Sequence, residues 1–185
     1  MLTDCSPRLT DLEEAMLQLR KGAEESAFQE TQQYACLKLL LRDKSISDKK
    51  TKPRAVAVLN NRNQKLIQYY VASLCKFILD NMLVIKYKEP HSEVMVSIET
   101  LIFCSKRIPS VTVFSSVRRQ FRRHFGRRFV VRAVENANGS VNDSIALRLS
   151  DNYTTDERVE ALILALSDNS TIATTDDQRD RKSVV

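Results

Sequence analysis

Apolar residues recur from the start of the chain at the spacing of a helix face. Leu9, Leu12, Met16, Leu19 and Ala23 follow one another at steps of three and four, which aligns them on one side of a helical repeat. Glu13, Glu14, Arg20, Lys21, Glu24 and Glu25 fill the other side, and the pattern continues through Tyr34, Leu37, Leu40 and Leu41. Pro7 suits a first helical position, and Thr10 with Glu13 has the spacing of a capping box, so a helix is predicted to start near Ser6 or Thr10. It gives way at Arg42-Asp43-Lys44-Ser45 to a polar connector running to Lys52. A second helix is predicted from Pro53 to about Lys88, ahead of Pro90. Its inward positions are expected to be Val56, Leu59, Leu66, Ile67, Tyr70, Val71, Leu74, Phe77, Ile78 and Leu83. At about 1.5 Å per residue this helix would be roughly 54 Å long. Two such helices joined by a short polar loop make an antiparallel hairpin.

Downstream the predicted elements shorten. Ser92 is placed to cap a helix from Glu93 to about Arg107, stopped by Pro109. Val94, Val96 and Ile98 also alternate like a strand, but Ile98, Leu101, Ile102 and Ser105 continue at helical spacing, and helix is predicted. The next helix should run from Thr112 to Val134, with Phe114, Val117, Phe121 and Phe125 on one face. Arg118, Arg119, Arg122, Arg123 and Arg127 occupy the opposite face. Arg128 falls back on the Phe face just after Gly126, and a bend or helix end at that glycine would relieve the conflict. Asn136 to Gly139 reads as a loop. A short helix over Val141–Leu149 follows, then a last one from Asp156 to about Asp168, capped by Thr155 and carrying Val159, Leu162, Ile163 and Leu166. From Asn169 to Val185 the chain is polar, without leucine or aromatic residues, and a disordered tail is expected. The predicted fold is all-α: a long antiparallel hairpin with two to four shorter helices packed on it, forming a core over residues 6–168 with a polar tail over 169–185.

Composition narrows the reading. The 185 residues amount to about one domain, and 43% of them are apolar, enough for one sizeable core. There are 3 glycines and 4 prolines, where average usage would give about 13 and about 9. So few turn-formers exclude the many tight connections of a β-sandwich or barrel. The longest apolar run, Ala161 to Leu166, is far short of the roughly 20 residues of a membrane span. Asp4 and Arg8 lie where a secretory apolar core would be, so no signal peptide is expected. Cys5, Cys36, Cys75 and Cys104 form no CxxC pair, and His91 and His124 do not complete a zinc spacing. Reduced, mostly buried thiols are expected.

Charge supplies the one pronounced local feature. The net charge is +6, and seven arginines lie between Val117 and Arg132 (Arg118, Arg119, Arg122, Arg123, Arg127, Arg128 and Arg132), while no Asp or Glu occurs from Thr100 to Val134. Without those seven, the 29 basic residues fall to 22 against 23 acidic ones, so the rest of the chain is close to neutral. For six of the seven, no acid stands at i±3 or i±4 to pair with the arginine, and crowding one sign on a helix costs self-repulsion. A partner carrying negative charge is therefore expected: an anionic membrane surface, an acidic protein face, or nucleic-acid phosphate. There is no Gly-rich phosphate loop, GxSxG or HExxH. No enzyme activity, cofactor, metal or small-molecule substrate is expected. His124 is read as an exposed helix residue.

The order of elements, and several stretches within it, resemble ESCRT-III-like proteins, specifically the Ist (increased sodium tolerance) branch. Gly139-Ser-Val-Asn-Asp-Ser-Ile-Ala-Leu-Arg-Leu-Ser, followed by Thr155-Asp-Glu-Arg-Val-Glu-Ala-Leu-Ile, is similar to the Gly-Thr/Ser-Val-Asn turn, short helix and closing helix of that branch. Glu99-Thr-Leu-Ile-Phe-Cys-Ser-Lys-Arg-Ile resembles its third helix, and Lys65 to Ile85 its second. The likeness extends over about Leu9 to Asn169. It implies a non-enzymatic subunit of membrane-remodelling filaments, cytoplasmic and peripheral on endosomal membranes, acting in multivesicular-body sorting. It further implies binding to the C-terminal helix of a partner ESCRT-III subunit, homo- or hetero-filaments, and modulation of the AAA ATPase that disassembles them. Family members usually carry C-terminal Leu/Arg-rich motifs for that ATPase. Ser170 to Val185 has no leucine, so contact with the ATPase is expected to be indirect. The alternative is a helical adaptor whose arginine face holds nucleic acid or an acidic protein.

Overall fold

In the computed structural model of the protein, which describes residues 9–42, 48–87, 90–150 and 153–167, the first apolar stripe becomes one uninterrupted helix. This is α1, Leu9–Arg42. Helix α2, Asp48–Asp80, runs back beside it as the second arm of a hairpin. Among the described residues six shorter helices follow: α3 Met82–Tyr87, α4 Ser92–Arg107, α5 Phe114–Phe125, α6 Arg127–Val134, α7 Asp143–Arg148 and α8 over 156–167. No strand occurs among the described residues. The fold is all-α, as the apolar periodicity predicts. The expected polar tail lies outside the described residues, as do Ser6 and Pro7.

Packing divides into two compact units, one within Met1–Glu24 and Lys65–Ser150, the other within Glu25–Gln64 and Asp151–Val185. In the first, Leu12 and Leu19 of α1 meet Ile67, Val71, Cys75 and Ile78 of α2. The same core takes in Ile85 of α3, Ile98, Leu101 and Ile102 of α4, and Phe114, Val117 and Phe121 of α5. Each such side chain contributes roughly 1.5–3 kcal/mol on full burial. Helix α4 is buried continuously from Ile98 to Ser105, as expected of a helix with neighbours on several sides. Gly22 leaves room on α1 for Gln68 of α2, whose amide nitrogen would lie 2.6 Å from an added Cβ. In the second unit Leu37, Ala55 and Val58 form a smaller core with Val159 and Leu166 of α8. Glu30 and Arg62 form an ion pair there at 2.7 Å.

Several expectations need correction. Pro53 does not open α2, because the helix begins at Asp48. Burial of Thr51 and the 2.9 Å ion pair between Lys52 and Asp156 hold the additional turn. Pro53 then forfeits one early helical hydrogen bond. The second arm also stops short of Lys88, at Asn81. There the Asn81 side-chain amide donates to the Phe77 carbonyl at 2.8 Å, and its backbone N–H turns to Ile78 instead. Of the inward candidates, Leu66, Phe77 and Leu83 face outward, at 44%, 38% and 74% exposure. The buried seam runs through Ile67, Val71, Cys75 and Ile78, so Leu66 and Phe77 stand one position, about 100°, off it, and Leu83 follows the break. Ser92 is the first residue of α4 rather than its cap; His91 holds the cap position, without a side-chain capping bond. The strand-like alternation in α4 resolves as a helix face, with Val94 and Ile98 buried and Val96 exposed.

Candidate functional site

The arginine-rich stretch forms two helices. Phe114, Val117 and Phe121 are buried, which fixes the inward face of α5 and turns Arg119, Arg122 and Arg123 outward. The helix ends at Gly126, with φ 89° and ψ 164°, a region that essentially only glycine occupies without strain. The Gly126 N–H donates to the Arg122 carbonyl at 3.0 Å. Beyond that corner α6 packs on both α4 and α5. The Phe121 and Phe125 rings stack at 6.1 Å, and Phe125 meets Phe129 across the corner at 4.9 Å. This break is the one anticipated at Gly126, and it leaves Arg128 exposed instead of on the Phe face.

The five arginines expected to act together divide into different environments. Arg118 is half-buried, and its guanidinium donates to the Ser105 carbonyl and, at 3.2 Å, to the Ser105 hydroxyl. Burial lowers its pKa, though a guanidinium stays charged at any physiological pH. Arg118 therefore joins α5 to α4 from within. Arg119 lies 3.5 Å from the Ser116 hydroxyl. Arg122, Arg123 and Arg127 are exposed, as is Arg128, and no carboxylate among the described residues pairs with them. Arg132, also in the run, donates to Asn138, which donates in turn to the buried Glu99 at 2.7 Å. Glu99 also accepts from the Ser140 hydroxyl, so one carboxylate secures the turn before α7.

The acid that does touch α5 is engaged with neutral groups. Asp11 of α1 accepts from the Ser116 hydroxyl at 2.7 Å and from the Gln120 amide. Opposite the expectation of an exposed side chain, His124 is half-buried. Its Nε2 lies 3.1 Å from the Ile85 carbonyl, and its ring meets Phe125 edge-on at 4.5 Å.

Between α4, α5 and α6 lies a cleft of about 550 Å³. Lys106 of α4 and Arg118, Arg119 and Arg122 of α5 line it on the cationic side, with Ser115. Across from them stand Val130, Val131 and Val134 of α6, with Glu135 beyond. Arg123 and Arg127 do not line this cleft. The sequence reading missed its valine side because it carried one helix through to Val134. The available signal was the apolar trio after Gly126, on the segment a bend would fold over. Arg107 was also missed. It donates to the Phe103 carbonyl at 3.0 Å and the Val134 carbonyl at 3.1 Å, with its guanidinium 3.5 Å from the Phe103 ring centre. It thereby fastens the end of α6 to the end of α4.

No group of three or more His, Cys, Asp or Glu placed to hold a metal ion occurs among the described residues. Among them, no helix is long and apolar enough to cross a membrane. A family model described as "Ist1: Regulator of Vps4 activity in the MVB pathway" matches residues 14–173. None of the curated proteins matches the chain.

Proposed function

Since the chain belongs to the Ist1 family of regulators of Vps4 activity in the MVB pathway, we propose that it is a non-enzymatic, ESCRT-III-like subunit that assembles with partner ESCRT-III proteins on endosomal membranes. Residues 6–168 are its working core. Its filaments, of its own copies or mixed with partner subunits, are the polymers that the AAA ATPase takes apart, and it modulates that ATPase through its partners. It is a peripheral protein of the cytoplasmic side.

The observation that carries this reading is the unbalanced positive charge of α5 and α6. Arg123, Arg127 and Arg128 are exposed and without a carboxylate partner among the described residues, and we assign them to the bilayer. Near an anionic surface each basic residue contributes about 1 kcal/mol, so three give weak, salt-sensitive attachment that assembly reinforces through multivalency.

Two measurements test the proposal together: sedimentation with anionic liposomes at low salt, and electron microscopy of the protein with a partner ESCRT-III subunit. Liposome binding is expected to fall several-fold when Arg123→Glu and Arg127→Glu are combined. Absence of both liposome binding and co-assembly would overturn the reading. Preference for RNA or DNA over liposomes, with a steep salt dependence, would assign the arginines to nucleic acid instead.

A further inference from the structure

We propose that the cleft between α4, α5 and α6 binds a multiply phosphorylated inositol, free in solution or as the headgroup of a lipid. Such a site lies beyond the reading above and does not depend on it.

Lys106, Arg119 and Arg122 line a space of about 550 Å³ and pair with no carboxylate among the described residues. Arg118 adds a fourth cation, its guanidinium set by the Ser105 carbonyl and hydroxyl. Ser115 places a hydroxyl among them. Like charges gathered in one cleft repel, and an anion that enters relieves the repulsion. One phosphate carries up to about two negative charges, so the four cations call for more than one phosphate. Arginine forks suit this task, since each can hold two phosphate oxygens at once. The space itself has the volume of an ordinary small-ligand site.

The other side selects what carries the phosphates. Val130 and Val134 are half-buried and Val131 is 44% exposed, so α6 offers apolar surface there. A linear polyphosphate would gain nothing from it. A nucleotide would want an aromatic face for its base, and no aromatic residue lines the cleft. An inositol ring with equatorial phosphates has an anionic rim and two faces made of C–H bonds. Its rim meets the cations of α4 and α5 while one face lies on the valines of α6. Glu135, beside those valines, opposes the anion and limits its affinity.

The test is calorimetric titration of the full chain with an inositol trisphosphate and, separately, with tripolyphosphate, which has as many phosphates and no ring. The trisphosphate is expected to bind at a single site, at least about tenfold more tightly than tripolyphosphate. Arg119→Gln with Arg122→Gln should weaken it at least about tenfold. Arg20→Gln with Lys21→Gln removes as much charge from α1, outside the cleft, and should leave binding unchanged. Val131→Asp, at an exposed position, should weaken binding. Glu135→Gln should strengthen it, a gain that a misfolded variant would not show. Equal affinity for the two anions, equal losses from the two double variants, or indifference to the Val131 and Glu135 changes would each overturn the proposal. Vesicles then identify the source of the ring. Phosphatidylcholine vesicles bearing phosphatidylinositol bisphosphate are compared with others brought to the same surface charge by phosphatidylserine. A preference for the first, lost in the Arg119 and Arg122 double variant, supports a lipid headgroup. No preference, with the trisphosphate still bound, supports a free inositol phosphate. Because the titration contains neither membrane nor partner, its failure leaves the earlier reading to liposome binding and co-assembly. Loss of those two leaves this site standing.

Discussion

Arg118 and Arg123 stand five positions apart on α5 and do opposite work. The first donates into α4 at Ser105, and the second is exposed to solvent. A charge-reversal experiment on the arginine face should therefore leave Arg118 intact, since an acid there would face a backbone carbonyl. Sequence marks both residues alike, because burial depends on which helix lies opposite. The cysteines are similarly sorted by what surrounds them. Burial pushes the Cys75 and Cys104 thiols up to about 12 from 9.0, while Cys36 is exposed. In the unfolded chain these two thiols lose their protons first, so the native state holds more protons above the ordinary thiol range. Stability from this source is complete below about pH 9 and declines as pH rises toward about 12. Alkylation of the native protein at neutral pH, followed by mass spectrometry, should label Cys36 well before Cys75 or Cys104. Equal labelling would show that the two sites open readily.

Among the elements, the corner at Gly126 is the most demanding. An added Cβ there meets nothing within 4 Å, so the objection to a side chain is conformational: φ 89° is hostile to any L residue. Gly126→Ala is expected to destabilise the protein by about 1–3 kcal/mol, read as a lowered urea midpoint. An unchanged midpoint would mean the corner is not held as described. This break was legible, because a polar residue returned to an apolar face directly after a glycine. The break at Asn81 was not, since the apolar spacing continues past it. What stops α2 is a side-chain amide occupying the carbonyl that its own backbone would have used, a local competition that periodicity does not record. The valine side of the cleft was hidden for a related reason. The identities of Val130, Val131 and Val134 were plain, but what they face depends on how sharply the chain turns.

For the molecule as a whole, the hairpin arms serve two apolar clusters of unequal size. Protection should differ accordingly. Amide exchange followed by mass spectrometry should find α4, buried from Ile98 to Ser105, among the last segments to exchange, and α8, with Val159 and Leu166 as its buried residues, much earlier. Uniform protection would contradict that division. The architecture was readable from spacing alone, and the resemblance in the Gly139–Ile163 stretch agrees with the family match over residues 14–173. The attachment of α1 to the arginine helix was not readable, and it bears on how anions reach this surface. Asp11 grips α5 through a hydroxyl and an amide, so it anchors the helix while sparing every guanidinium. The outward electric field is thus left largely unquenched, and encounter speed, more than residence time, should respond to added salt.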